Sequence, residues 1–169
     1  VFEETGSARD PFGNVRLGAG VPAAGPTASS LYVGNNLIGE QAVMDIHGDL
    51  NVGTRTGIAA GSTATLEIPF AGEVSVDGTT QFGDAFGNHS RLTIREGGLL
   101  ISRSIVAPAG SSADLRLDGG TTVVNGGFFD VSTMRALVIG SHVGTPVLEF
   151  RDGAQGTFTA LPADRAMTI

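Results

Sequence analysis

The sequence predicts an all-β protein: a right-handed parallel β-helix, or β-solenoid, of about five to six triangular coils. Two observations lead to this prediction. A short unit of alternating apolar residues recurs along the chain, and a glycine-bearing corner divides each unit into two halves. In addition, no stretch has the 3.6-residue periodicity of an amphipathic helix. We assign residues 15–169 to the solenoid and residues 1–14 to an extended N-terminal arm.

The first half of each unit is an apolar-x-apolar triplet, the pattern of a strand that buries one face. The triplets begin at positions 44, 66, 92, 115 and 148, so successive coils are 22, 26, 23 and 33 residues long. Loops of different length between similar strands explain this variation. The five triplets are Met44–Ile46, Leu66–Ile68, Leu92–Ile94, Leu115–Leu117 and Leu148–Phe150.

A second triplet follows the glycine corner, and a third strand completes each coil. We place the third strand at Leu31–Val33 and Leu137–Ile139, each about a dozen residues before a first half. Three short strands per coil give a triangular cross-section, and glycine suits its tight corners because it adopts positive φ without strain. The second triplets are Leu50–Val52, Val74–Val76, Leu99–Ile101 and Thr122–Val124, with a degraded one near Phe158.

Stacking explains why such a unit repeats. One coil cannot bury its own apolar face, whereas coils stacked at about 4.8 Å share backbone hydrogen bonds and one continuous core. A β-sandwich or jelly roll also has short strands and glycine-rich turns. We favour the solenoid because a sandwich gives no reason for the same unit to recur.

The outward residues of the first halves support this stacking in part. Opposite charges directly across neighbouring strands stabilise a sheet by a few tenths of a kcal/mol. Asp45 and Glu67 are the exception, since they place two negative charges together. The predicted favourable pairs are Arg95 with Asp118, Arg116 with Glu149, and Asp118 with Arg151.

The segments AVMDIHGDLNVG, ATLEIPFAGEVSVDG and SRLTIREGGLLISRS resemble the repeats of bacterial exported β-solenoids. These include autotransporter-type passenger regions and the Gly-rich repeat proteins of environmental bacteria. The resemblance covers roughly residues 30–160. It implies a secreted protein, extracellular or on the cell surface, with a structural, adhesive or matrix role. It carries over no catalytic residue.

Composition narrows the function further. The chain has no Cys, which removes disulfides, zinc thiolate sites and cysteine nucleophiles. Its formal charge is −7 with scattered arginines, so we expect no nucleic-acid partner. No segment reaches the roughly 20 apolar residues of a membrane span, so we expect no membrane insertion. The chain starts without Met, and we interpret it as a mature or excised fragment.

Few residues are candidates for chemistry. His47, His89 and His142 lie near predicted corners in different coils, and we interpret them as solvated turn residues. Asp45 and Glu67 on neighbouring coils would lie about 5 Å apart, near the carboxylate separation of a retaining glycosidase. Because we find neither an aromatic platform nor an arginine cluster beside them, we interpret the pair as part of a solvent-facing ladder. We expect no enzyme activity, no cofactor and no metal.

The phenylalanines in the longest inserts allow two interpretations. In the first, Phe82, Phe86, Phe128 and Phe129 fill the third side of the core. In the second, they form a contact patch between subunits.

The two ends of the solenoid predict assembly. Ala166–Ile169 resembles Val43–Ile46 and then stops in mid-coil, and an isolated strand begins at Val15. A last strand completed by the first coil of the next chain makes a heterologous contact that yields a filament. The arm would lie on a neighbouring subunit as an added strand. The expected interface residues are Val1, Phe2, Phe12, Val15, Leu17, Met167 and Ile169.

We therefore expect an extracellular structural protein that assembles head-to-tail with itself into a filament or surface layer. The alternative is an adhesin or carbohydrate-binding passenger segment of a larger surface protein, with a surface polysaccharide as partner. A trimmed piece of a longer solenoid and a capped monomer are the other readings of the ends.

Overall fold

A computed structural model describes residues 2–5, 13–17, 28–34, 41–53, 63–83, 89–107, 112–130, 136–140, 144–157 and 166–168. For residues 2–5, 16, 17, 112 and 166–168 it describes the backbone alone. These parts of the chain contain strands and turns and no helix. No helix able to cross a membrane is therefore found in them.

The sixteen strands are short, as the alternating triplets predict. In chain order they are β1 (Phe2–Thr5), β2 (Asn14–Leu17), β3 (Ala28–Tyr32), β4 (Ala42–Ile46), β5 (Leu50–Val52), β6 (Thr63–Ile68), β7 (Gly72–Phe82), β8 (His89–Arg95), β9 (Leu99–Val106), β10 (Ser112–Asp118), β11 (Thr121–Asn125), β12 (Phe128–Asp130), β13 (Ala136–Ile139), β14 (Val147–Arg151), β15 (Gln155–Thr157) and β16 (Ala166–Thr168).

The strands stack into three faces. Face 1 is a six-stranded parallel sheet in the order β3, β6, β8, β10, β13, β16. Face 2 contains β4, the first part of β7, the first part of β9, β11 and β14. Face 3 contains β2, β5, the remaining parts of β7 and β9, β12 and β15. Faces 2 and 3 form one ten-stranded sheet because β7 and β9 continue through the corner.

This arrangement confirms the predicted parallel β-solenoid. Leu66, Leu92 and Leu115 lie in direct register on face 1, and each is fully buried. Parallel neighbours come from successive coils, which is the relation that a solenoid requires and a sandwich does not have. The repeated triplet therefore predicted both the strand direction and the central column of the core.

Three coils are more regular than the others, which differs from the predicted five to six. They span residues 63–82, 89–106 and 112–130, and their strands form all three faces. Less regular turns continue the same stacks on both sides, with shorter strands on face 1 at 136–139 and 166–168. The long loops between strands account for the difference.

Some triplets lie on a different face from the one predicted. Met44 pairs with Val74 and Leu148 pairs with Thr122, so both belong to face 2 and not to the column of Leu66. Alternation of period two shows which side chains point inward, but it is the same on every face of a triangle. The alternation therefore predicted where the strands lie in the sequence, but not which face of the coil each strand occupies.

The strands predicted on the third side belong to face 1 for the same reason. Leu31 pairs with Leu66, and Leu137 pairs with Leu115. The coils counted along face 1 are therefore 35, 26, 23 and 22 residues long from Leu31 to Leu137. Phe82 and Phe129 do fill face 3 of the core as predicted, whereas Phe128 is exposed. Phe86 lies outside the described residues.

The interior of the coils is mostly apolar, with a few buried hydroxyl groups. On face 3 the hydroxyl of Thr80 donates a hydrogen bond of 2.9 Å to Ser102 on face 2. Ser102 in turn donates to the carbonyl of Ser104 at 2.7 Å. Two other buried hydroxyls, those of Ser90 and Thr122, have no hydrogen-bond partner in the described part of the chain. The hydrogen bond between Thr80 and Ser102 offsets the cost of burying their hydroxyls. In the described part of the chain, the hydroxyls of Ser90 and Thr122 have no such compensation.

The predicted N-terminal arm contains strand β1, and this strand pairs within its own chain. Phe2–Thr5 runs antiparallel to Asn14–Leu17, with Phe2 opposite Leu17. It covers the outer edge of β2, the first strand of face 3. The arm therefore adds a strand at this edge of its own chain, and its predicted contact with a neighbouring subunit stays a prediction.

Candidate functional site

The candidate site is a shallow groove on the outer surface of face 1, which we call the face 1 groove. It crosses the three regular coils and encloses about 220 Å³. Its lining comes from β6, β8 and β10, whose outward side chains lie in columns because the strands are in register. The lining residues are Thr65, Glu67, Arg91, Thr93, Arg95, Arg116 and Asp118.

Ion pairs hold two of the three arginines of the groove. Arg95 Nε lies 2.5 Å from Glu67 Oε1 on the preceding coil. Arg91 Nη2 lies 3.7 Å from Asp114 Oδ2 on the following coil, and His89 Nε2 lies 3.1 Å from the same oxygen. The side chain of Asp114 is only 8% exposed, so the Arg91 guanidinium and the His89 ring compensate a carboxylate that is largely removed from water.

Arg116 and Asp118 behave differently. They are two residues apart on β10 and face outward into the groove. Asp118 lies in register with Arg95, as we predicted, but the guanidinium of Arg95 contacts Glu67 instead. In the described part of the chain, neither side chain has a hydrogen bond or ion pair. The groove thus contains an unused five-donor cation and an unused acceptor.

The other predicted charge pairs are wrong. Arg116 lies in register with Val138, and Glu149 lies in register with Val123 on face 2. Glu149 instead accepts two hydrogen bonds from Arg151 of its own strand, at 2.7 and 2.8 Å. These bonds lower the pKa of Glu149 below its ordinary value of 4.5 and raise that of Arg151. Both shifts arise from an exposed pair on β14, the last strand of face 2 in the described ranges.

The acidic pair considered for glycosidase chemistry is also separated. Asp45 lies in register with Ser75 on face 2, whereas Glu67 lies on face 1 between Tyr32 and Thr93. The two carboxylates therefore do not share a surface. The arginines that we did not find beside Glu67 in the sequence are present in the structure, because they come from the next two coils.

Two exposed aromatic side chains lie near the groove, although neither belongs to its lining. Tyr32 lies in register with Glu67 and is 52% exposed. Phe70, at the corner that follows β6, is 65% exposed. Its ring covers Gly97, where an added Cβ would come within 2.5 Å of the ring. The groove itself is therefore lined by polar and charged side chains, and the exposed ring of Tyr32 is the next residue in the column of Glu67.

A second shallow depression lies on face 2 and its corner with face 3. Ser75, Asp77, Ile101, Arg103 and Asn125 contribute to its lining. Asp77 is already bound by His47, whose Nδ1 lies 2.5 Å from the Asp77 carboxylate. Arg103 has no partner in the described part of the chain. Because its acidic lining residue, Asp77, is already paired, this depression offers no free carboxylate beside its free cation, whereas the face 1 groove offers Asp118 beside Arg116.

The histidines are spread over the solenoid. The side chain of His47 is 60% exposed at a corner, as predicted, whereas that of His89 is 25% exposed and lies at the start of β8. His142 lies outside the described residues. Within the described ranges, no three His, Cys, Asp or Glu residues are grouped as metal ligands.

The C-terminal end of the stack exposes part of its interior. Phe150, an inward residue of β14, is 37% exposed, although its ring packs edge-on against Phe129 at 6.0 Å. Its column neighbour in the preceding coil, Val124, is fully buried. Strand β14 has a described strand partner on one side only, which is β11. Within the described ranges, the outer edge of β14 is therefore open to another strand.

The predicted interface residues are placed only in part. Val15 is fully buried in the core, in register with Leu50. The backbone of Phe2 lies in β1, that of Leu17 in β2, and that of Met167 in β16, where it is in register with Leu137. Val1, Phe12 and Ile169 lie outside the described residues.

Comparison of the chain with protein-family models, with curated proteins and with solved structures gives no match. The assignment of function therefore depends on the surfaces described above.

Proposed function

We propose that this chain is an extracellular structural protein whose coils stack head-to-tail, copy upon copy, into a filament or surface layer. The observation that supports the proposal best is where its exposed apolar residues lie. Of six large apolar side chains that are exposed in the described part of the chain, four lie on strands at the two ends of the stack. They are Tyr32 in β3, Val43 in β4, and Val147 and Phe150 in β14.

The columns of face 2 match across such a contact. Val43 begins an outward column that passes through Glu73, Leu99 and Thr121 and ends at Val147. A second copy stacked above this one would continue the same column with its own Val43, beyond Val147. Val43 is 53% exposed and Val147 is 41% exposed, so the contact would remove apolar surface from water on both copies.

The outermost strands also leave backbone edges free. In the described part of the chain, β14 pairs only with β11 and β16 pairs only with β13, while at the other end β3 pairs only with β6 and β4 pairs only with β7. An unpaired edge strand is a template for another strand. Because the two surfaces differ, the contact is heterologous, and repeating it gives an open filament and not a closed dimer. Only the extracellular location depends on the resemblance to exported solenoid repeats.

The experiment is sedimentation velocity and negative-stain electron microscopy of the purified chain from about 1 to 100 µM, a range that brackets association in the micromolar regime. We expect a concentration-dependent series of oligomers and linear particles. The variant Val147→Arg should weaken assembly by about tenfold or more, because it replaces apolar surface at the contact by a charged side chain. Adding Val43→Asp on the same chain should restore part of it, since opposite charges then lie in one column across the interface.

Phe128→Arg is the matched control. Phe128 is 60% exposed but lies on the side of the stack, in β12, away from both open edges. It should leave assembly unchanged. A wild-type chain that stays monomeric over the whole concentration range refutes the proposal, and so does an equal loss of assembly in the Phe128 and Val147 variants.

A further inference from the structure

The face 1 groove has the chemistry of a binding site that the core does not need. Its unused groups, Arg116 and Asp118, lie on the same strand and face outward together. Between Arg116 and Glu67 lies Thr93, a lining residue that is itself only 7% exposed. A ligand along this column would meet hydrogen-bond donors and acceptors in close succession.

The charge of the groove limits the class of ligand. Its lining has three arginines against two carboxylates, and two of the arginines are already engaged in ion pairs. A nucleic acid needs a strongly basic track, which this groove lacks on a chain with a formal charge of −7. A strongly acidic polymer would likewise be repelled by the net negative charge of the chain. A ligand with neutral hydroxyl groups suits the groove better, because each hydroxyl both donates to a carboxylate and accepts from a guanidinium.

The direction of the groove follows the stacking axis. It crosses three coils, and neighbouring coils are about 4.8 Å apart. At its N-terminal end, the exposed ring of Tyr32 lies beside Glu67, and Phe70 stands at the adjacent corner. The flat apolar faces of sugar rings pack on aromatic rings, while their edges carry hydroxyl groups. An extended sugar chain presents both kinds of contact to one surface.

We propose that the face 1 groove binds a neutral polysaccharide that lies across the coils, parallel to the stacking axis. Arg116 donates to its hydroxyl and ring oxygens, Asp118 accepts from its hydroxyls, and Tyr32 packs against a sugar ring at one end. The ion pair of Arg95 with Glu67 forms the wall of the groove between Tyr32 and Asp118. Because the groove is on the side of the solenoid, this inference holds whether or not the ends of the stack assemble.

The test uses the assembly-blocked variant Val147→Arg as background, so that oligomerisation does not multiply binding. Neutral hexasaccharides of glucose, mannose and galactose, and a hexamer of galacturonate, are titrated into the ¹⁵N-labelled chain. Binding is followed by calorimetry and by the NMR signals of the arginine Nε–H groups. We expect at least one neutral hexasaccharide to bind saturably and to shift the Arg116 signal.

Arg116→Gln and Asp118→Asn should each weaken that binding by about tenfold, the usual effect of losing a hydrogen bond to a charged group. The control is Arg103→Gln, which removes an equally exposed and unpartnered arginine from face 2 and should leave affinity unchanged. Unaltered melting temperatures show that the variants fold. Preference for the galacturonate hexamer, equal losses in the Arg103 and Arg116 variants, or no binding at millimolar sugar each overturn the proposal.

Discussion

Thr122 has a buried hydroxyl that the fold does not satisfy, and replacing it tests the stacking of the core. The residue is fully buried on face 2, between Leu100 of the preceding coil and Leu148 of the following one. Its Oγ1 has no hydrogen-bond partner in the described part of the chain. Thr122→Val exchanges this hydroxyl for a methyl group of similar size in an apolar column.

The expected gain in the free energy of unfolding is about 1–2 kcal/mol, because a buried hydroxyl without a partner costs about 1–3 kcal/mol and valine removes that cost. For a chain of this length, the melting temperature should rise by about 2–6 °C. Thr80→Val is the matched control. Thr80 is equally buried, but it donates to Ser102 at 2.9 Å, so the same exchange should cost about 1 kcal/mol.

Urea unfolding followed by circular dichroism measures both variants against the wild-type chain. The slope of the unfolding transition must stay constant, since a changed slope would indicate that coils unfold separately. Opposite signs for the two variants support the register described here. If Thr122→Val destabilises the chain as much as Thr80→Val does, the column Leu100–Thr122–Leu148 is wrong.

Two other predictions concern a corner and a titrating pair. Gly72→Ala should lower stability by about 1–3 kcal/mol in urea unfolding, because its Cβ would lie 1.9 Å from the carbonyl oxygen of Val33; Gly140→Ala, with no atom within 4 Å of the new Cβ, should not. Carbon-detected NMR should give Glu149 a carboxyl pKa below 4.5 that returns to its ordinary range in Arg151→Gln. Since the folded pKa is the lower one, the pair stabilises the fold above the unfolded pKa and stops doing so as pH falls through the folded value. A Glu149 pKa that is unchanged by Arg151→Gln would contradict this.

The sequence predicted the solenoid because one column of it is nearly perfect. Leu66, Leu92 and Leu115 begin similar triplets at similar spacing, and they do stack. The prediction assigned Met44 and Leu148 to the wrong face, because the chain makes the same in-out alternation on face 2. Alternation reports burial and not the face, so only the lengths of the intervening loops hold that information, and these lengths vary.

The candidate site was half predictable for the same reason. The correct register of β8 with β10 already placed Arg95 beside Asp118 and Thr93 beside Arg116. With Tyr32 assigned to another side of the coil, however, nothing connected an aromatic ring to Glu67. Residues more than 20 positions apart become neighbours only through the register of their strands. When a strand is assigned to the wrong face, its residues are therefore missing from the predicted site.

The two proposals act along different directions of one object, and this gives them a joint consequence. Stacking along the axis would repeat the face 1 groove once per copy, about every 29 Å if each of the six strands of face 1 adds about 4.8 Å. A long sugar chain parallel to the axis would then meet many grooves at once, and its apparent affinity would rise with filament length without any new contact. Weak binding of a short sugar to one groove is therefore compatible with strong binding of a filament to a long polysaccharide. Val147→Arg should reduce binding to an insoluble polysaccharide far more than binding to a hexasaccharide, whereas Arg116→Gln should reduce both.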